Sequence, residues 1–405
     1  MLIFLANSNS VYAANQVSVT EAKKVIQTHI SDLESDHEFS DEWRNVDIEF
    51  NRNLYDIDDT VVSYYFSLVK DDKEVGYYII AARDNLTPVL EYSNAASHEG
   101  FEEVPGDEKI YYFGGLNFTG ALNKEKLKEK FKKSKDKHIT NLEKELIDLE
   151  LTSKNVGGDE KKEQKQKLEK ELKANKELTL EKLKIKENVT NIEDTWEYYL
   201  KDQPIEEAEF KALSLPSSYW LGVPHMYQRQ AYVSNPGSAC GPTTAAMIAQ
   251  YHYNNGHSYV RAKQYYGGNE WQLINTLRNE LGVGALGLYE SNFTHHFPRY
   301  LNYDNYSGQV WRGNKINGED AYSLDTFKSR VVSGSPPPVM WHRFPWYDNA
   351  SVTWHWQAGM AYRVTAGVTE FGVREPDTNV DSNKTKYYPY MQNRNDFLFI
   401  RLIRS

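Results

Sequence analysis

The chain has a single cysteine, Cys240, set in the stretch Ser238-Ala239-Cys240-Gly241-Pro242-Thr243-Thr244-Ala245-Ala246-Met247-Ile248. A thiol reacts as its thiolate, and the unpaired N–H groups at the start of a helix favour that anion. The small and apolar residues that follow, up to Asn254-Asn255-Gly256, predict such a helix. Pro242 fits its first turn, where a missing donor costs nothing, and Gly241 is expected to leave the sulfur uncovered. Most free cysteines are small hydrophobes in a core. The position of Cys240 at a loop-to-helix junction favours a nucleophile instead.

A thiol nucleophile needs a base, and the candidates are His225, His252, His257, His295, His296, His342 and His355. His355 is the strongest, because it lies in an expected strand over 353–361 between Trp354 and Trp356, whose rings would keep water from an ion pair. His342 on the next expected strand is its rival, read otherwise as a histidine satisfied within an aromatic patch. The base needs an orienting group, and Val373-Arg374-Glu375-Pro376-Asp377 offers two carboxylates, Glu375 and Asp377, where a strand breaks at proline. Gln228 and the Cys240 backbone N–H are the candidates for stabilising an oxyanion. No metal-ligand spacing occurs, His295-His296 being too little, and no cofactor is expected. Gly267-Gly268 and Gly282-Val283-Gly284 lack the Lys-Ser/Thr helix start of a phosphate loop.

These groups require a helix to carry the thiol and a sheet to carry the base. From about residue 215 the pattern supplies both: a helix after Cys240, a second around 271–277, then strands at 338–342, 354–362, 371–374 and 397–400. That helix-first, sheet-later order belongs to an α+β domain.

At 405 residues the chain predicts two or three folded units. Residues 18–120 read as a small α+β domain. Thr20-Glu21-Ala22 opens an amphipathic helix with Val25, Ile26 and Ile30 on one face, and strands follow at 61–69, 76–82 and 88–92, the first two joined by a polar turn. No catalytic constellation occurs there. Residues 121–200 change to Lys, Glu and Leu, with Leu127, Phe131, Ile139, Leu142, Leu146 and Leu149, then Leu168, Leu172 and Leu183, at mostly helical spacings around a break at Asn155-Val156-Gly157-Gly158-Asp159. This predicts an antiparallel helical hairpin with solvated, mixed-charge faces, a spacer or a partner-binding coiled coil. A net charge of −10 argues against nucleic acid as a partner, and no apolar run reaches the roughly 18–20 residues of a membrane span. Residues 1–13 read as the remnant of a signal peptide without its basic region, with Val11-Tyr12-Ala13 as the cleavage signal. A secreted or cell-surface protein, of a Gram-positive bacterium, is the expectation.

Val223-Pro224-His225-Met226-Tyr227-Gln228, followed after a short loop by Cys240-Gly241-Pro242-Thr243-Thr244-Ala245-Ala246-Met247, resembles the papain-like cysteine peptidases of the bacteriocin double-glycine leader peptidase-like group. The likeness covers roughly the last 190 residues. It implies a papain-like catalytic domain over 215–405, with Gln228 as the oxyanion-hole glutamine, Cys240 as the nucleophile and His355 as the base. The family closes its triad at an Asp-Pro step; here Glu375 precedes the proline and Asp377 follows it, which leaves two candidates for the third member. The strands of 18–120 are similar, more weakly, to the propeptide domains of streptopain-like peptidases. The resemblance implies a secreted thiol protease made as a zymogen, acting on a peptide or protein and inhibited intramolecularly by its N-terminal domain. The same triad on the same fold also serves peptidoglycan endopeptidases and acyl transferases. A non-enzymatic exported binding protein with a degenerate domain is the remaining alternative.

Overall fold

A computed structural model of the chain describes residues 14–33, 42–98, 100–151, 158–185, 192–201, 215–284, 287–342, 354–377 and 384–405. The expected signal-peptide remnant at 1–13 and most of the expected break in the hairpin lie outside these residues. The architecture is mixed α+β. In chain order, the N-terminal half contributes α1 (Val19–Leu33), β1 (Asp47–Tyr55), β2 (Val61–Lys70), β3 (Lys73–Ala81), β4 (Val89–Ser93), β5 (Lys109–Tyr112), β6 (Phe118–Ala121), α2 (Lys124–Leu151), α3 (Gly158–Lys176) and α4 (Ile192–Leu200). The C-terminal half contributes β7 (Ser218–Trp220), α5 (Cys240–Asn254), α6 (Glu270–Glu280), α7 (Glu290–Leu301), β8 (Trp311–Asn317), α8 (Ser323–Val332), β9 (Pro338–His342), β10 (Trp354–Thr365), β11 (Val368–Arg374), β12 (Thr385–Pro389), α9 (Tyr390–Asn393) and β13 (Phe397–Arg404).

Local chemistry explains where these elements begin and turn. The helix expected to open at Thr20 is capped by Ser18: its Oγ accepts the Glu21 N–H (3.2 Å) while the Glu21 carboxylate accepts the Ser18 N–H (2.7 Å), a reciprocal capping box. Ala22, Val25, Ile26, His29 and Leu33 form the buried stripe of α1. Asp71 and Asp72 both take positive φ (51° and 59°) between β2 and β3, the conformation that lets a two-residue turn follow the strand twist. The hairpin is antiparallel, since Lys176 pairs with Glu143 (2.9 Å) and Lys165 with Glu150 (2.6 Å). Leu142 and Leu168 are buried in it, whereas Leu183 lies beyond α3 in a short 3₁₀ turn. Among the described residues no helix is long and apolar enough to cross a membrane.

The strands join into one sheet in the order β6-β5-β1-β2-β3-β4-β12-β11-β10-β9-β13-β8. The regions read as separate domains in the sequence therefore share a sheet, through an antiparallel seam that sets Lys386 opposite Ser93 and Tyr387 opposite Tyr92. Tyr78, Tyr92 and Tyr387 stack across it, with ring centroids 5.3 and 4.9 Å apart. Beneath the stack the Tyr92 hydroxyl donates to Glu370 Oε2 (2.9 Å) and accepts from Arg363 (3.1 Å), and His29 Nε2 lies 3.3 Å from Glu370 Oε1. β10 runs along the middle of the C-terminal half. One of its edges pairs with β11, and the other is shared by β9 over Trp354–Ala358 and β7 over Ala361–Arg363.

Candidate active site

Cys240 is the first residue of α5 and is buried. Its backbone N–H has no acceptor among the described residues, as expected of a first-turn donor. Gly241 does not open space beside the sulfur: a Cβ there would lie 2.6 Å from Leu288 Cβ. The glycine instead lets α5 pack against the residue that leads into α7.

β10 carries His355, and β11 ends just before Glu375. Ala358 lies opposite Arg374, so continuing the antiparallel register sets Glu375 opposite Gln357, and alternation along the strand sets Gln357 on the same face as His355. The contacts follow that arithmetic. His355 Nε2 meets Glu375 Oε1 at 2.6 Å, and Gln357 Nε2 donates to Glu375 Oε2, also at 2.6 Å. Trp341, directly across from His355 on β9, donates its Nε1–H to Gln357 Oε1 (2.6 Å). The Asp377 N–H donates to Glu375 Oε1 (3.0 Å), while the Asp377 carboxylate turns away to Arg229, 2.8 Å from its NH2. Of the two candidate carboxylates, Glu375 is the one at the imidazole.

Electrostatics complete the chain of contacts. Burial works against a charged His355, but the Glu375 carboxylate and a hydrogen bond with Cys240 outweigh it and hold the imidazole well above its usual range. Burial likewise works against ionised Glu375, and His355, Lys386 and the Asp377 N–H overcome it, holding the carboxyl well below the usual carboxylate range. The two shifts agree on a protonated imidazole beside an ionised glutamate. With Nε2 turned to Glu375, the other ring nitrogen is the one left for the thiol.

Gln228 is held at two points. Its backbone N–H donates to Pro376 O (2.7 Å), next to Glu375, and its Nε2 donates to Pro236 O (3.1 Å) in the turn before Cys240. Arg374 steadies the approach to Gln228, donating Nε–H to Val223 O (3.1 Å). The Gln228 Oε1 is buried without a hydrogen-bond partner.

Of the rival histidines, His225 comes near the site but bonds the Glu375 backbone, while His342, His252 and His295 fall elsewhere. His342 is opposite Trp354, one residue out of phase with the His355–Trp341 pair, and therefore on the other face of the strands. Trp354 and Trp356 share that other face, so of the tryptophans it is Trp341 that lies on the His355 side. His252 is twelve residues along α5 from Cys240, about 18 Å at the helical rise. It packs against Trp311, and burial, with His257 and Arg404, pushes it down to about 3. His295 bonds the Ser291 carbonyl one turn back in α7. Sequence reasoning missed Gln357, although its place two residues after His355 on a strand was the available signal. It also missed Arg278, whose NH2 donates to Ser238 Oγ (2.8 Å) and NH1 to Ser238 O (3.3 Å).

A thiol at a helix start, an imidazole beside it and a buried carboxylate behind the imidazole can together form a covalent thioester and protonate its leaving group. Comparison with protein-family models gives no match to the chain, and a search of curated proteins likewise finds none.

Proposed function

We propose that the chain is a cysteine peptidase, with a papain-like domain over 215–405 that hydrolyses peptide bonds. The observation that carries this reading is the buried hydrogen-bonded line His355–Glu375–Gln357–Trp341, with the Cys240 thiol acting on the imidazole at its head. The Cys240 sulfur attacks the substrate carbonyl carbon as a thiolate, and the carbonyl π electrons move to oxygen. The Cys240 N–H, with the Gln228 amide beside the same turn, accommodates that oxyanion. As the tetrahedral adduct collapses, the C–N bond breaks and the His355 imidazolium gives its proton to the leaving amine. Water, deprotonated by His355, then attacks the thioester and returns the thiol. The pairing of β4 with β12, which attaches residues 18–120 to the half that carries the site, supports a zymogen with that region as its pro-region. Export to the cell surface or medium belongs to the same proposal.

The test is labelling with a peptidyl electrophile, alongside casein hydrolysis, in the wild-type chain and in Cys240→Ala and His355→Ala. Labelling and hydrolysis lost in both variants is the expected result. Equal labelling of wild type and Cys240→Ala would end the proposal, and turnover of purified cell walls in place of casein would redirect it to peptidoglycan cross-links.

A further inference from the structure

α6 faces the nucleophile loop with Trp271, Asn275 and Arg278, spaced four and three residues apart and so on one stripe. Asn275 holds the loop at two points, donating Nδ2–H to Tyr232 O (2.8 Å) and accepting the Ser234 N–H at Oδ1 (2.9 Å). Arg278 holds it at Ser238, through both the hydroxyl and the carbonyl oxygen. Ser238 is two residues before Cys240, so the lower end of this stripe fixes the turn from which the sulfur and its N–H emerge.

Arg278 is unusual in its surroundings. Its side chain is buried (8 % exposed), yet among the described residues no carboxylate pairs with it. The equally buried Arg261, by contrast, meets Glu280 at 3.2 Å. A buried cation without a counter-charge is strongly disfavoured, and neutral acceptors such as Ser238 offset only part of that cost. Burial presses the Arg278 guanidinium down from its usual range, and the Cys240 sulfur is the group whose negative charge, when it carries one, works against that pressure. Among the described residues, the charged groups that act on the sulfur are His355 on β10, with Glu375 behind it after β11, and Arg278 on α6.

We propose that Arg278 is a positioning residue for the nucleophile, which fixes the Ser238 turn and supplies a second, permanent positive charge that favours the Cys240 thiolate. This rests on the cysteine-nucleophile reading and adds to it a cation that, unlike His355, does not titrate. His355 loses its charge at the basic end of the pH range and must also give up a proton during acylation. Arg278 does neither, so the sulfur keeps a counter-charge when the imidazole is neutral. The helix start and the imidazole have a third partner that no motif around Cys240 announces.

With one cysteine in the chain, thiolate can be followed by ultraviolet absorbance as a difference against Cys240→Ser, independent of reagent access. The full chain is titrated as wild type, Arg278→Gln, Arg278→Lys, Ser238→Ala and His355→Ala. Arg278→Gln is expected to raise the thiolate midpoint by about one pH unit, a tenfold loss of thiolate at a fixed acidic pH. Ser238→Ala, which keeps the cation, is expected to lower kcat and leave the midpoint in place. A folded Arg278→Gln with the wild-type midpoint overturns the proposal, as does a Ser238→Ala shift as large as that of Arg278→Gln. Should Arg278→Gln not fold, Arg278→Lys decides: a shift under about half a unit is expected, and a full-unit shift overturns the role assigned to the charge. Equal midpoints in wild type and His355→Ala would instead remove the underlying peptidase reading, whatever Arg278 does.

Discussion

The contact between His355 and Glu375 sets the pH range over which Cys240 has an imidazolium beside it. His355 is held above its unfolded value near 6.5, so its contribution is fully present below that pH and is lost as pH rises through the raised folded value. Glu375 is held below its unfolded value near 4.3, so its contribution is present above that pH and is lost as pH falls through the depressed folded value. The pair therefore stabilises the fold most between about pH 4.3 and 6.5. Glu375→Gln is expected to lower kcat by about 10²-fold or more and to move the basic limb of the pH–rate profile down toward pH 6.5. A pH–rate profile of the variant checks both, and an unmoved basic limb would contradict the role given to Glu375. Cys240 and His355 were legible from residue type and local pattern. The choice of Glu375 over Asp377 was not, because Pro376 breaks the strand and the sequence does not say which side chain stays in register. The β10–β11 pairing decides it, and Asp377 has Arg229 as a partner that no spacing rule would bring to it.

At the scale of elements, the start of α5 is fixed by packing as much as by capping. Replacing a helical glycine with alanine is ordinarily favourable by about 1 kcal/mol. At Gly241 the new Cβ would press on Leu288 Cβ, close to the backbone and unable to swing aside. Overpacking of that kind costs about 1–3 kcal/mol and wins. Gly241→Ala is expected to lower the urea midpoint, and activity more steeply, since any shift of α5 moves the Cys240 sulfur. The strands and helices with strong local signals, α1, β2, β3, α5, α6, β10 and β13, were readable from periodicity and turn chemistry. β1 was not, because the alternation of Asp47-Ile48-Glu49-Phe50 is broken by the polar run Asn51-Arg52-Asn53, where the register shifts between Phe50 and Arg52. β12 was hidden by its lysine, buried where a strand lysine normally faces water, and by the proline at its end. α7 contains Pro298 and two adjacent histidines, a composition that reads as loop until Phe293 and Phe297 are seen packed against the core.

For the whole molecule, the seam between β4 and β12 is the feature that composition could not announce, because pairing between strands nearly 300 residues apart leaves no local trace. It ties residues 14–201 to β12, the neighbour of β11, which Glu375 follows; β10, which carries His355, is one strand further. Tyr92→Phe would leave Glu370 and Arg363 each short of a partner in a buried site, at a cost of about 1–3 kcal/mol, read as a lower thermal midpoint. A chain cut between Lys201 and Leu215 is expected to elute as one species in size-exclusion chromatography under native conditions and as two in denaturant; two native species would show that the seam does not hold. If processing does drive the N-terminal part away, β12 becomes an uncapped edge, with the groups that faced Ser93 and Tyr92 left to water. An open strand edge recruits another strand. The liberated C-terminal part would then carry, one strand beyond Glu375, a place where an extended segment of polypeptide can be laid down in register.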